Sequence, residues 1–194
     1  MLQTLNVSAQ TDLAPREAAL AKLRRIEAIR VDHKVRPPGG GASLYVIDLY
    51  MRVNAPAPIM PRSQLALHDI TASAEGVMLS REHVAGRDPT KSVGKAYLEV
   101  FELKDRLEMA ALGCRSAKRC RVCQSVFEFC AGLTKTPAAV VRALSTTDTK
   151  RREIETMMNA LVGIVVRAQI LTSTASQCES DEKIPIMIEE FLSL

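Results

Sequence analysis

Residues Pro37-Pro38-Gly39-Gly40-Gly41 split two stretches of alternating apolar and polar residues, and this break limits the possible folds more than any other feature of the chain. Upstream, Ile26 to Val35 roughly alternates; downstream, from Ser43 to Val53, Tyr45, Ile47, Leu49, Met51 and Val53 share one parity. A period of two puts those side chains on one face of a strand, whereas a helix would scatter them around its axis. Two strands joined by a Pro- and Gly-rich loop give an antiparallel hairpin, which needs further elements to cover its apolar face.

Those further elements are helical. Val100, Leu103, Leu107 and Ala110 recur at helical spacing from Tyr97 onward, and Gly113 marks the expected end. A second helix is expected over Arg119 to Ala131, with Val122, Val126 and Phe129 inward and Gly132 as its cap. The strongest stripe follows Asp148, a suitable N-cap, and comprises Ile154, Met157, Met158, Leu161, Val162 and Val165. A closing amphipathic segment, Ile184 to Leu194, carries Ile188, Phe191 and Leu192. The expected class is therefore α+β, a small antiparallel three-stranded sheet packed against a helical subdomain of three to four helices.

With 194 residues the chain suits one domain with a short extension. Residues 1–23 read as an N-terminal helical extension, with Pro15 in the first turn of a helix reaching Arg25. Residues 24–194 form the domain, interrupted at 54–93 by a long irregular insertion in which Pro56, Pro58, Pro61 and Pro89 leave no sustained period, apart from a short strand around Val77 to Leu79.

Charge and cysteine usage narrow the function. The net charge of +4 is modest, aromatic residues make up 4% and Trp is absent, so no nucleic-acid partner is expected. Five cysteines, an odd number, and no signal-peptide-like apolar core in Met1 to Gln10 point to a reduced, cytoplasmic chain. The apolar run from Ala160 stops at Arg167, far short of the roughly 20 residues that cross a bilayer. Any membrane contact is expected to be peripheral.

Two basic clusters, Lys95-Ala96-Tyr97 and Lys150-Arg151-Arg152, lie at the starts of expected helices. Cations at a helix N-terminus oppose the macrodipole at roughly a few tenths of a kcal/mol unless an anion answers them. Brought together around the tyrosine ring, they would make a cationic pocket for a polyanion with a flat face, such as a sugar phosphate or a lipid headgroup. The plainer alternative for both clusters is a solvated charged surface.

The order of hairpin, strand running into a helix, second helix, extended Pro-containing loop, long helix and short closing helix resembles the phox-homology (PX) domain, a phosphoinositide-binding module. The resemblance spans Arg24 to Leu194. At the strand-to-helix junction, Lys95-Ala96-Tyr97-Leu98-Glu99-Val100-Phe101-Glu102-Leu103 matches the family pattern at Lys95, Tyr97, Glu99 and Leu103 and departs from it at Ala96, Leu98 and Val100. The family's 3-phosphate-gripping basic residue falls on Ala96, whose methyl group cannot bind phosphate. The resemblance implies that Tyr97 lies against the inositol ring, with Lys95, Lys135, Lys150 and Arg151 as phosphate partners. Lys135 stands in Leu133-Thr134-Lys135-Thr136-Pro137, an eroded counterpart of the family's Pro-Pro-x-Lys loop, and Lys150 falls where the family has an arginine of the long helix. Val140 and Val141, within the apolar stretch Ala138 to Leu144, correspond to the loop that dips into the bilayer, with ordinary helix packing as the alternative.

The implied function is a non-catalytic, peripheral membrane-targeting module on endosomal or other phosphoinositide-bearing membranes. The alternative is a PX-fold protein-interaction module that has lost specific lipid recognition and binds a protein partner. Cys114, Cys120, Cys123 and Cys130 raise a third possibility, a zinc-stabilised adaptor, but the gap from Cys123 to Cys130 on a helix suits two buried thiols better, so no metal and no cofactor is expected. Nearby Arg119 and Arg121 would lower the thiol pKa at Cys120 and Cys123, the basis of a weaker redox reading. No enzyme is expected. His33, His68 and His83 are scattered, no Gly-x-Ser-x-Gly or Walker-type lysine loop occurs, and Gly39-Gly40-Gly41 precedes a strand where a phosphate loop precedes a helix.

Overall fold

The computed structural model describes residues 15–36, 39, 42–52, 84–114, 120–134, 146–171 and 178–194. Among these, three strands and five helices follow in the order α1 (Pro15–Leu23), β1 (Ile26–Val35), β2 (Leu44–Met51), β3 (Lys91–Ala96), α2 (Tyr97–Leu112), α3 (Arg121–Thr134), α4 (Thr147–Leu171) and α5 (Glu179–Phe191). The fold is α+β, with an antiparallel open sheet ordered β1-β2-β3.

The hairpin forms as the alternation requires. Val31 faces Ile47 and Ile29 faces Leu49 across β1 and β2, and Tyr45, Ile47 and Leu49 are all buried on the helix-covered face. Gly39 in the connecting loop has φ +121°, a conformation that side chains resist. Val53 and the strand expected around Val77 to Leu79 lie outside the described residues. Part of the stretch read as an irregular insertion is regular: β3 starts at Lys91 and pairs along β2 from Leu49 to Leu44. Just before it, Val84 is fully buried against Ala28 and Tyr50 on the opposite face of the sheet. That packing explains why β2 buries residues of both parities. Asp48, on the second parity, is buried and accepts a hydrogen bond from Ser92 Oγ at 2.5 Å.

β1 is an edge strand, and α4 completes it. The outward-facing backbone groups of Ile29 and Val31 meet three side chains spaced one helical turn apart. Arg151 Nε donates to the Val31 carbonyl at 2.8 Å, Val31 N–H donates to Glu155 Oε2 at 3.0 Å, and Asn159 both accepts from Ile29 N–H at 3.1 Å and donates to its carbonyl at 2.8 Å. Residues i, i+4 and i+8 share a helix face, so one stripe of α4 substitutes for a fourth strand. The neighbouring apolar stripe of Ile154, Met157, Met158, Leu161, Val162 and Val165 is buried throughout, as the periodicity requires.

Helix ends deviate from expectation in three places. Thr146, one residue before α4, supplies the cap, its Oγ1 accepting from Thr149 N–H at 3.2 Å; Asp148 sits in the first turn and pairs with Arg151 at 3.2 Å. α3 continues through Gly132 to Thr134, so this glycine is not a terminator. α5 begins at Glu179, earlier than the apolar pattern suggests, and contains Pro185. Its capping residue is Cys178, whose sulfur accepts from Asp181 N–H at 3.3 Å.

α1 belongs to the same core as the rest of the fold. Leu20 and Leu23 are buried, Arg16 forms an ion pair with Asp181 of α5 at 3.1 Å in a largely dry setting, and Lys22 reaches Glu189 at 2.6 Å.

The Asn159 amide satisfies two buried backbone groups of β1, so Asn159→Ala should lower unfolding stability by about 2 kcal/mol. Urea denaturation should show a reduced midpoint with an unchanged slope. An Asn159→Ala midpoint equal to that of the parent would mean the helix does not complete the sheet edge.

Candidate functional site

The junction of β3 with α2 faces the N-terminal turn of α4. Glu99, in the first turn of α2, reaches back to accept from Ala96 N–H at 2.5 Å, fixing the direction in which the helix leaves the strand. Tyr97 is half-buried at this point. Its ring centroid is 4.9 Å from Phe101 and 6.1 Å from Tyr45 of β2, both tilted contacts, and its hydroxyl donates to Glu153 Oε2 of α4 at 2.6 Å. Over that ring sits Lys150, Nζ 5.3 Å from the centroid, and Lys34 Nζ of β1 lies 5.9 Å from the Tyr45 centroid. Two ammonium groups therefore flank two touching aromatic rings, within the range of cation–π attraction.

The five expected headgroup residues are distributed unevenly. Tyr97 and Lys150 meet, although 53 positions separate them in sequence. Lys95 sits over a different ring, Phe191 at the end of α5, at 4.7 Å. Lys95 shares its strand parity with Lys91, which hydrogen-bonds to the Ser193 carbonyl beside the same helix end. Arg151 is engaged with Val31 and Asp148, as the sheet edge requires. Lys135, Val140 and Val141 lie outside the described residues. Lys34, Tyr45, Phe101 and Glu153 were not anticipated. Their signal was present only as strand parity for Tyr45 and as the three-residue spacing of Glu153 from Lys150.

The Glu153 carboxylate stands in the wall of the site, against the Tyr97 hydroxyl. Burial, followed by the neighbouring Glu153 carboxylate, raises the Tyr45 pKa above the ordinary tyrosine value. The Tyr97 hydroxyl as donor and the nearby ammonium of Lys150 compensate Glu153, so the site is a mixed surface of aromatic rings, ammonium groups and a resident carboxylate.

Cysteine placement corrects another expectation. The fourth thiol beside Cys114, Cys120 and Cys123 is Cys178, not Cys130: the four sulfurs lie within 4.8 Å of one another. Cys130 is buried farther along α3, where burial pushes its thiol up to about 12. Burial likewise pushes Cys120 up to about 11 and raises Cys123, so the lowered pKa expected from Arg121 is overturned; Arg119 lies outside the described residues. At neutral pH the thiol, not the nucleophilic thiolate, is the ground state there.

No helix among the described residues is long and apolar enough to cross a membrane. Comparison of the chain with protein-family models, with curated proteins and with solved structures finds no match.

The raised Tyr45 pKa has a signed consequence. Its folded-state value exceeds the unfolded one, so its contribution to stability is complete below about pH 10 and is lost as pH rises through the folded-state value. Phenolate absorbance titration, with Tyr45→Phe to assign the curve, should show Tyr45 ionising above the ordinary range, and Glu153→Gln should move it part of the way back. An unmoved curve in Glu153→Gln would remove the carboxylate as a cause.

Proposed function

We propose that this chain is a non-catalytic PX-like module that binds the phosphorylated inositol headgroup of a membrane lipid at the junction of β3, α2 and α4. The observation that carries the reading is the meeting of Lys150 with the Tyr97 ring, since the two come from separate helices and have no local reason to touch. Lys34 over Tyr45 adds a second cation on the same aromatic surface. A flat sugar ring stacks on a phenol face while its phosphates take the ammonium groups, whose point charges suit phosphate without the bidentate geometry of arginine. Arg151 then acts by fixing the start of α4 against β1, and Lys95 by holding the end of β3 to α5. Lys135 and the apolar residues Val140 and Val141 remain the proposed loop contacts with headgroup and bilayer. Recruitment is peripheral. Each basic residue near an anionic leaflet contributes about 1 kcal/mol, so a specific pocket is needed to exceed weak, salt-sensitive attraction.

A second reading is favoured by specific features. Ala96 offers no phosphate ligand, and Glu153 already takes the Tyr97 hydroxyl. On α2, Leu98 and Met109 are each 67% exposed and, eleven residues apart, fall on nearly one helix face. A PX-fold module that binds a protein partner through such a face accounts for all three features.

Vesicle co-sedimentation across individual phosphoinositides separates the two. The lipid reading expects headgroup-dependent binding, competed by the matching soluble inositol phosphate, with roughly a tenfold loss in Lys150→Ala, equivalent to about 1.4 kcal/mol. Lys183→Ala, a surface change on α5, should bind as the parent does. Glu153→Gln removes the competing carboxylate and should tighten binding several-fold. Binding that follows only vesicle charge, with Lys150→Ala and Lys183→Ala equivalent, would sink the headgroup reading and leave the protein-interaction module.

A further inference from the structure

The meeting of four thiols described above has no role in headgroup recognition and lies at a different place in the fold. Cys114 directly follows the C-terminal cap of α2, Cys120 and Cys123 flank the first residues of α3, and Cys178 caps α5. Three helix ends thus converge on one point. Cys120 Sγ and Cys178 Sγ are 3.4 Å apart, and Cys123 Sγ and Cys178 Sγ are 3.6 Å apart. Bonds of about 2.3 Å from a tetrahedral ion to four sulfurs place those sulfurs about 3.8 Å from one another, close to what is seen. A disulfide requires about 2.05 Å, and none of the five cysteines is in a disulfide. The spread is also too small for an iron–sulfur cluster, whose four thiolates are divided among two or four irons and so stand farther apart.

We propose that Cys114, Cys120, Cys123 and Cys178 bind a single zinc ion as a closed four-thiolate structural site that ties the end of α2 to the starts of α3 and α5. The soft, tetrahedral all-sulfur donor set is the one zinc prefers, and it leaves no position open for a reacting water. The Cys-x-x-Cys pair at Cys120 and Cys123 supplies a half-site at a helix start, and the second half is assembled from residues on either side of it in the chain. Loading the ion deprotonates the four thiols and releases their protons to solvent, leaving a centre of net charge 2−. Asp181 N–H already donates to Cys178 Sγ, and the positive ends of α3 and α5 meet at the cluster, opposed by the negative end of α2 and by the acidic first turn of α5. The ion would also fix α5, whose Asp181 pairs with Arg16, and so connects α1 to the rest of the core.

The test uses the full chain, purified under reducing conditions without added metal. Elemental analysis is expected to find about one zinc per chain, with iron absent. Replacement by Co2+ should give intense visible bands of tetrahedral cobalt and a sulfur-to-cobalt charge-transfer band in the near ultraviolet. Cys178→Ser should lose the stoichiometric metal and the charge-transfer intensity, while Cys130→Ser keeps both. Chelation of the parent should lower the thermal midpoint, and zinc should restore it. Should Cys178→Ser fail to fold, the cobalt spectrum of the parent still decides, because it requires no variant. Far less than one zinc per chain together with a cobalt spectrum lacking thiolate charge transfer would overturn the proposal. Stoichiometric iron, a Cys120–Cys178 disulfide trapped in the fresh lysate, or full zinc retention in Cys178→Ser would do so as well.

Discussion

The hydrogen bonds from Arg151, Glu155 and Asn159 to the exposed edge of β1 are the constraint from which the rest of the arrangement follows. An unpaired strand edge is costly to bury and hazardous to expose. By meeting the Ile29 and Val31 backbone groups with side chains one turn apart, α4 is held parallel to the sheet edge at a fixed height. Its apolar stripe then has only one way to face, into the core between β1 and α3. Its first two turns, carrying Lys150 and Glu153, are delivered to the point where β3 passes into α2.

That delivery makes the aromatic surface possible. Tyr97 would be an ordinary boundary residue on α2 without α4 beside it. With α4 in place, its hydroxyl finds Glu153 and its ring finds Lys150. The same logic explains why Arg151 is not at the site: a guanidinium hydrogen-bonded to a strand carbonyl serves the scaffold, and the lysine one position earlier, rotated about 100° around the helix, is left facing the ring. At the far end of the helical layer the thiols of Cys114, Cys120, Cys123 and Cys178 gather where three helix ends meet, away from the aromatic pair.

The elements were legible wherever a single periodicity ran uninterrupted. The β1–β2 hairpin, the buried stripe of α4 and the Val100, Leu103 and Leu107 face of α2 could be read directly, because burial on one face leaves its period in the sequence. Ends were less legible. Thr146 and Asp148 are both good caps, and only backbone geometry decides which one turns its oxygen to the helix. Gly132 resembles a terminator, yet α3 runs on past it, since the penalty for a glycine inside a helix, about 1 kcal/mol, is small beside the burial of Val122, Val126 and Cys130 on the same element. β3 was half hidden because Gly94 and the exposed Lys91 and Ser92 give it no apolar alternation; pairing with β2 defines it.

From residue order alone the chain is committed to an α+β fold, to a hairpin at the Pro- and Gly-rich break, and to a basic, amphipathic long helix, because these depend on local propensity and on which face must leave water. Tertiary structure decided which distant groups became neighbours. It paired Lys150 with Tyr97, sent Lys95 to Phe191, reserved Arg151 for a strand edge and replaced Cys130 with Cys178 in the thiol cluster. The reason is physical: side-chain period fixes the face a residue occupies, but what it meets depends on how packed elements are rotated and shifted against one another, and that is set by the whole core.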